Sequence, residues 1–423
     1  MCRFSFSAAR TTFLAALAVV ACTSAQAGDW PQWRGPTGDG RMADPGLAEA
    51  WPESGLRQLW RRELGGGYSG IAVVGDKVIT QDRQKEPHEV ERVVCVDVGT
   101  GEPVWVHEYD VIYGDLDYGN GPRACPTIVG DRVYTLGALG HLRCLNLANG
   151  SLIWQKHLET DLQGRRPTWG YAASPLVTQG RVIVQPGGDN GYSVVALSAE
   201  TGDVDWHCLS DEAGYTWPLE ISSGGTKQLV CWTPSHIRGI EPATGRPLWE
   251  APYEVTYGVA IATPIFCEGL IVVSGYWHGS KAIRLGEQPE GAKVEWEENR
   301  YLRGLMSQPL YRDGVVYLLD KQYGITAFEL QTGRKLWDDK NQTTPRDRNP
   351  QASLVWIGDS DRALALSSNG DLVMIRLTRN GLTELARDNI LKVDGVIWGH
   401  PAYSGQRVFA RSDTELICVE LPR

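Results

Sequence analysis

Short apolar runs, each closed by a polar or glycine-containing turn, recur along the whole chain. One unit reads directly as four strands. "ACPTIVG" is a short inner strand, "DRVYTLG" follows a polar turn, "HLRCLNL" follows a glycine turn, and "SLIWQKH" follows "ANG". The first two members of this unit have counterparts in "SGIAVVGDKVIT", "ASPLVTQGRVIV", "TWPLEISSGGTKQLVC", "ATPIFCEGLIVV", "SQPLYRDGVVYL", "ASLVWIGDSDRALAL" and "GHPAYSGQRVFA". The pattern predicts eight short-stranded sheets.

A second marker fixes the register of the units. A turn glycine precedes a tryptophan by four residues at Gly101 and Trp105, Gly150 and Trp154, Gly202 and Trp206, Gly245 and Trp249, and Gly333 and Trp337. Trp296 follows Gly291 by five, Leu385 takes the tryptophan's place after Gly381, and Trp60 in "RQLWRREL" opens the series. Neighbouring markers lie 41 to 52 residues apart. A period of roughly 40 to 50 residues of short strands is the signature of propeller blades. The chain is therefore expected to be all-β, an eight-bladed β-propeller with four antiparallel strands per blade.

The last unit, Trp398 to Leu421, has three strands before the chain stops. The strand around Trp60 is expected to supply the fourth and close the ring, which removes the open sheet edges. The tryptophans Trp60, Trp105, Trp154, Trp206, Trp249, Trp296 and Trp337 are expected on outer strands, packing against the next blade as structural wedges. The propeller is expected over 58–423, with 28–57 as an extension packed on it. In that extension, "DWPQWRGP" is expected to lay Trp30 and Trp33 over the closing blade, with Arg34 tied to backbone carbonyls or a carboxylate.

These repeats resemble the tryptophan-docking repeats of quinoprotein alcohol dehydrogenases, eight-bladed propellers that hold pyrroloquinoline quinone in a central funnel. The resemblance implies the fold, and it raises pyrroloquinoline quinone with calcium as a cofactor. Those enzymes stack the quinone between a tryptophan and two adjacent disulfide-bonded cysteines. This chain has no adjacent cysteines, and their calcium-binding and catalytic carboxylates have no assigned counterparts here. The opening "GDWPQWRGPTGDG", with "YGNGPRACP", "PTWGYAASP" and "YGVAIATP", is similar to exported propellers of bacteria such as planctomycetes, which are labelled by analogy with the propeller subunit of the outer-membrane β-barrel assembly machine. That label carries fold more safely than role.

Composition narrows the setting. Arg3 and Arg10 are the only charges before Asp29, and "FLAALAVVA" and "AQA" follow, so residues 1–27 read as a secretory signal peptide. The alternative is a lipoprotein site at Cys22 in "VVAC", which would tether the protein to a membrane; Val19, where leucine is usual, favours plain secretion into the periplasm or medium. A formal net charge of −10 without a basic run sets nucleic acid aside. Of nine cysteines two fall in the leader, leaving an odd number and no metal or haem motif. Cys95 and Cys144 occupy a slot filled elsewhere by Ala196, Gly239 and Ala327, and read as small buried residues.

The loops entering the inner strands carry the candidate chemistry: "GGGYSG", "YGDLDYGNGPR", "RRPTWGY", "DEAGYTW", "VTYGV", "YLRGLM" and "VIWGH". Arg123, Arg165, Arg166 and Arg303 are expected to meet an anionic or polyhydroxylated ligand, with Trp169, Tyr171, Tyr257 and Trp398 as stacking walls. The competing expectation is that these side chains only fill the channel. His400 is a candidate base if a substrate binds, and otherwise a structural group. Asp115 and Asp117 begin like a calcium loop, but Gly119 and Pro126 stand where ligands are needed, so no metal is assigned. Hydrolase signatures are absent from the sequence. The leading reading is a binding module for a small molecule or an envelope protein. The alternatives are a quinone-dependent alcohol or sugar dehydrogenase, with the arginines on the quinone's carboxylates and Trp169 stacked on it, and an assembly scaffold of the cell envelope.

Overall fold

The computed structural model describes residues 28–114, 116–288, 290–392 and 397–423. The expected leader, Cys22 and Asp115 lie outside the described residues. Eight antiparallel sheets follow one another as propeller blades, with blades 1 to 7 over 72–110, 127–157, 176–208, 219–252, 265–298, 310–338 and 352–389. Blade 8 is composite. Arg57–Glu63 pairs with Glu415–Glu420, which continues through Arg407–Arg411 to Ala402–Ser404. Both chain ends thus close the ring, as the three-stranded last unit required. Among the described residues, no helix is long and apolar enough to cross a membrane.

Burial explains the strand patterns. Middle strands such as Val315–Asp320 are buried at every position because neighbouring blades cover both faces. Outer strands such as Pro103–Asp110 alternate, so that Trp105 is buried while Val104 and Val106 face solvent. All seven described cysteines are free, and Cys95, Cys144 and Cys418 sit directly across from Trp105, Trp154 and Trp60.

Six of the seven repeat tryptophans dock on the following blade. Trp60, Trp105, Trp154, Trp206, Trp296 and Trp337 donate their indole N–H to the carbonyls of Val98, Leu147, Ala199, Pro242, Leu330 and Thr378 at 2.8 to 3.1 Å. For five of the six, all but Trp337, the turn glycine of the next blade lies against the ring. At Gly150 the backbone has φ +70°, and an added Cβ would stand 2.5 Å from Trp105 Cε3, so both conformation and space demand glycine. Burying ~150 to 250 Å² of indole contributes up to about 4 to 6 kcal/mol before ordering entropy is subtracted.

Trp249 shares a core cluster with Ile271, Val273, Ile283 and Leu285 of blade 5, but its hydrogen bond differs from those of the other six. Its N–H donates to Gln228 Oε1 within its own blade at 2.7 Å. Two local features account for this. Gly239 opposite leaves room, since a Cβ there would lie 2.1 Å from Trp249 Nε1. The next outer turn, 286–291, lacks the Thr-Gly pair present at Thr100-Gly101, Thr201-Gly202 and Thr244-Gly245. At the seam between blades 7 and 8, where Leu385 replaces the indole, Trp51 and Leu56 from the extension pack on the same core cluster.

The extension does more than cover the last blade. Trp30 pairs with Val73 of blade 1 and packs edge-on against Tyr403 of blade 8 at 5.2 Å. The chain then crosses the central channel. Pro31 O accepts from Ile128 N of blade 2, Trp33 Nε1 donates to Thr263 Oγ1 before blade 5 at 3.0 Å, and Arg34 Nη2 donates to Pro309 O before blade 6 at 3.0 Å. Arg41–Met42 finally adds a parallel strand to the inner edge of blade 7. Trp33 therefore sits in the channel, where it meets the closing blade at His400, in the loop that enters its inner strand. Arg34 is buried and donates to the carbonyls of Gly38, Asp39 and Pro309; burial lowers its pKa to about 10, so it stays charged at neutral pH.

Candidate functional site: an aromatic funnel

Above this crossing segment lies a cavity of about 970 Å³. Each of the eight loops that enter an inner strand contributes to its wall, and Trp33 contributes from the extension. The wall holds five tryptophans (33, 169, 217, 277, 398) and five tyrosines (68, 118, 215, 257, 276), with no phenylalanine. Such rings offer an apolar body and a polar tip.

The rings form a tilted arc. Tyr68 meets Trp398 at 5.1 Å between centroids, Trp398 meets Tyr118 at 5.6 Å, Tyr118 meets Trp169 at 6.5 Å, and Trp169 meets Tyr215 at 5.6 Å. Their planes are inclined by 43° to 57°. Across the mouth, Asn349 donates to Tyr118 Oη at 3.3 Å, and Tyr276 Oη donates to the Arg348 carbonyl at 3.0 Å. Tyr257 is 74% exposed and holds φ 59°, a left-handed conformation unusual for a bulky residue. Its ring meets Trp277 edge-on at 6.2 Å. The indole N–H groups of Trp169, Trp217 and Trp398 are buried and find no acceptor among the described residues.

Seven of the nine expected side chains line this cavity: Arg123, Arg165, Arg166, Trp169, Tyr257, Trp398 and His400. Two do not. Tyr171 is turned into the core between blades 2 and 3, where its hydroxyl donates to Pro186 O at 3.2 Å and burial pushes its pKa up. Arg303 is drawn away because buried Asp320 accepts its backbone N–H at 2.8 Å, and its guanidinium donates to Gln322. Sequence reasoning missed Trp33, Arg348, Tyr276 and Trp277. The last two lie in the hairpin between the middle strands of blade 5, outside the loops that enter inner strands.

The arginines differ in how they are held. Arg123 donates to the carbonyls of Gly121 and Gly119, and no carboxylate pairs with it among the described residues. Arg165 faces Asp189 at 3.0 Å and Glu212 at 4.0 Å, and Arg166 faces Glu159 at 3.7 Å. The Arg348 guanidinium has no partner among the described residues. His400 packs against Trp33 at 4.1 Å, with the Gln351 amide 3.3 Å from its Nε2. Burial, helped by the Arg34 cation, lowers its pKa to about 3. The imidazole is neutral and a weak base, which suits the wall of a site better than proton abstraction.

The residues do not fit a quinone and calcium centre. Among the described residues no three acidic, histidine or cysteine side chains converge as a metal-binding group, and no cysteines pair.

A family model described as "Outer membrane protein assembly factor BamB" matches residues 90–299 and 235–422. A protein of that name from Burkholderia pseudomallei (strain K96243) is 26% identical over 320 residues, 71% of this chain and 74% of its own. Another from Moranella endobia (strain PCIT) is 22% identical over 261 residues, 58% of this chain and 61% of its own length. The dehydrogenase subunit of the alcohol dehydrogenase (quinone) of Komagataeibacter europaeus is 31% identical over 157 residues, but that is 33% of this chain and 20% of the subunit. In fold, the quinohemoprotein alcohol dehydrogenase ADHIIG of Pseudomonas putida HK5 superposes with a TM-score of 0.61 at 12% identity, over 94% of this chain and 80% of that one. Since the matched model spans most of the chain, the protein belongs to the PQQ_2 family, described as outer membrane protein assembly factor BamB.

Proposed function

We propose that this protein is a binding propeller without a redox centre, exported to the cell envelope, and that its ligand sits in the aromatic funnel. One observation carries the reading: the chain spends its own N-terminal segment on closing the channel floor, yet leaves about 970 Å³ above it lined by ten Trp and Tyr rings. A purely structural plug would fill that volume. Pockets of roughly 300 to 1,000 Å³ with apolar walls and a few polar groups are the usual form of a ligand site. Export rests on the leader-like residues 1–27, and mass spectrometry of the mature N-terminus checks it: a start near Gly28 supports plain secretion, and a lipidated Cys22 a tethered form.

The binding reading is tested by screening small molecules, quinone with calcium included, for an increase in thermal midpoint and a change in tryptophan fluorescence. The expected result is a stabilising ligand whose effect is lost in Trp398→Ala and Trp169→Ala. Dye reduction with alcohols by the quinone-loaded protein would replace this reading with the dehydrogenase. Family membership supports a second reading, an assembly scaffold whose partner docks on the exposed rings of Tyr257 and Trp277, 74% and 45% exposed. Co-purification with an outer-membrane complex that is lost on Tyr257→Ala would favour it.

A further inference from the structure

We propose that the funnel's ligand is an acidic oligosaccharide, anchored through a carboxylate by Arg348 and stacked along the arc from Tyr68 to Tyr215. This rests on the reading of the funnel as a ligand site. The charge argument comes first. The molecule carries a formal net charge of −10, yet two guanidinium charges at the funnel are unmatched. Arg123 is held by neutral carbonyls, and Arg348 is held by nothing described. Their neighbours Arg165 and Arg166 are already matched by Asp189 and Glu159. A free guanidinium beside an apolar wall favours a carboxylate, which it can grip with two parallel hydrogen bonds.

The wall argues for a sugar body. A pyranose has apolar C–H faces and a hydroxyl rim, and rings that combine an apolar face with a polar tip meet both needs. A chain of puckered rings turns from one unit to the next, as the arc does with successive planes tilted by 43° to 57°. At about 30 Å³ per water the cavity equals roughly thirty waters, which is room for several linked rings and excessive for one small acid. An acidic peptide would share the charge. It fits less well, because an extended glutamate chain has no ring faces to lay on the successive tilted aromatic rings.

Isothermal titration of the full mature protein with a trimer of galacturonic acid, a neutral glucose trimer and triglutamate tests the proposal. The acidic sugar is expected to bind saturably, at least about tenfold more tightly than either control, and more weakly at about 0.5 M salt. Arg348→Ala should weaken it about tenfold while the neutral trimer is unaffected, and Trp398→Phe serves as a milder variant if Trp398→Ala misfolds. Equal binding of the neutral trimer, preference for triglutamate, or indifference to Arg348→Ala would each overturn the proposal. If no sugar binds but another small molecule stabilises the protein through Trp398, the saccharide class fails and the binding reading survives. If nothing does, both fail.

Discussion

Two groups of tryptophan, the outer-strand wedges and the funnel wall, differ in how their N–H groups are met, while Trp51 and Trp232 also leave unmet N–H groups elsewhere. The docking indoles on the outer strands all complete their hydrogen bonds, six to the next blade and Trp249 to its own. Of the five indoles at the funnel, Trp169, Trp217 and Trp398 leave buried N–H groups without an acceptor among the described residues. A buried unmet donor costs about 1 to 3 kcal/mol, and a fold under selection for stability alone has reason to remove it. The outer set is explained by architecture. The inner set is not, and that contrast separates wedge from wall.

The contrast is broken most directly by truncation. Trp154→Ala should destabilise the protein by about 3 to 5 kcal/mol, since it empties a well-packed site between blades 2 and 3. Gly150→Ala should also be strongly destabilising, because the methyl meets Trp105 and φ is +70°. Urea unfolding of both variants checks this. A loss below about 1 kcal/mol in Trp154→Ala would show that the seams do not depend on their indoles.

The outer set was legible in the sequence and the inner set only partly so, for a physical reason. Strand alternation and the spacing from turn glycine to tryptophan are local, so Gly150 and Trp154 announce themselves. What faces the funnel depends on how each loop twists before its strand: Trp169 lines it while Tyr171, two residues on, does not. Arg303 was diverted by a buried acid from the neighbouring hairpin, Asp320. Trp33 meets Thr263 across 230 residues, a contact no local pattern encodes. Arg348 lacked any neighbouring ring or glycine to mark its loop.

His400 sharpens the contrast at the funnel floor through pH. Its folded pKa, about 3, lies below the unfolded value near 6.5, so the unfolded chain binds the proton more readily. Its effect on stability is absent above about pH 6.5 and grows as pH falls toward 3. By about pH 5 it should amount to about 2 kcal/mol lost, at 1.36 kcal/mol per pH unit. Other groups titrate too, so the readout is the difference between wild type and His400→Gln. The variant should lose less stability between about pH 7.5 and pH 5, and parallel losses would mean that His400 is not held neutral.

The smallest effect is the most discriminating. Replacing indole by phenyl removes the N–H while keeping most of the ring, so its cost depends on whether that N–H had a partner. In Trp105→Phe the Leu147 carbonyl loses its indole donor, and a loss of about 1 to 3 kcal/mol is expected. In Trp398→Phe an unmet buried donor disappears, and the stability change should fall within about ±0.5 kcal/mol or favour the variant. Comparing the two in one buffer cancels much of the shared loss of ring area. If Trp398→Phe costs as much as Trp105→Phe, the funnel indole is held by the fold like any other wedge, and its claim to a ligand weakens accordingly.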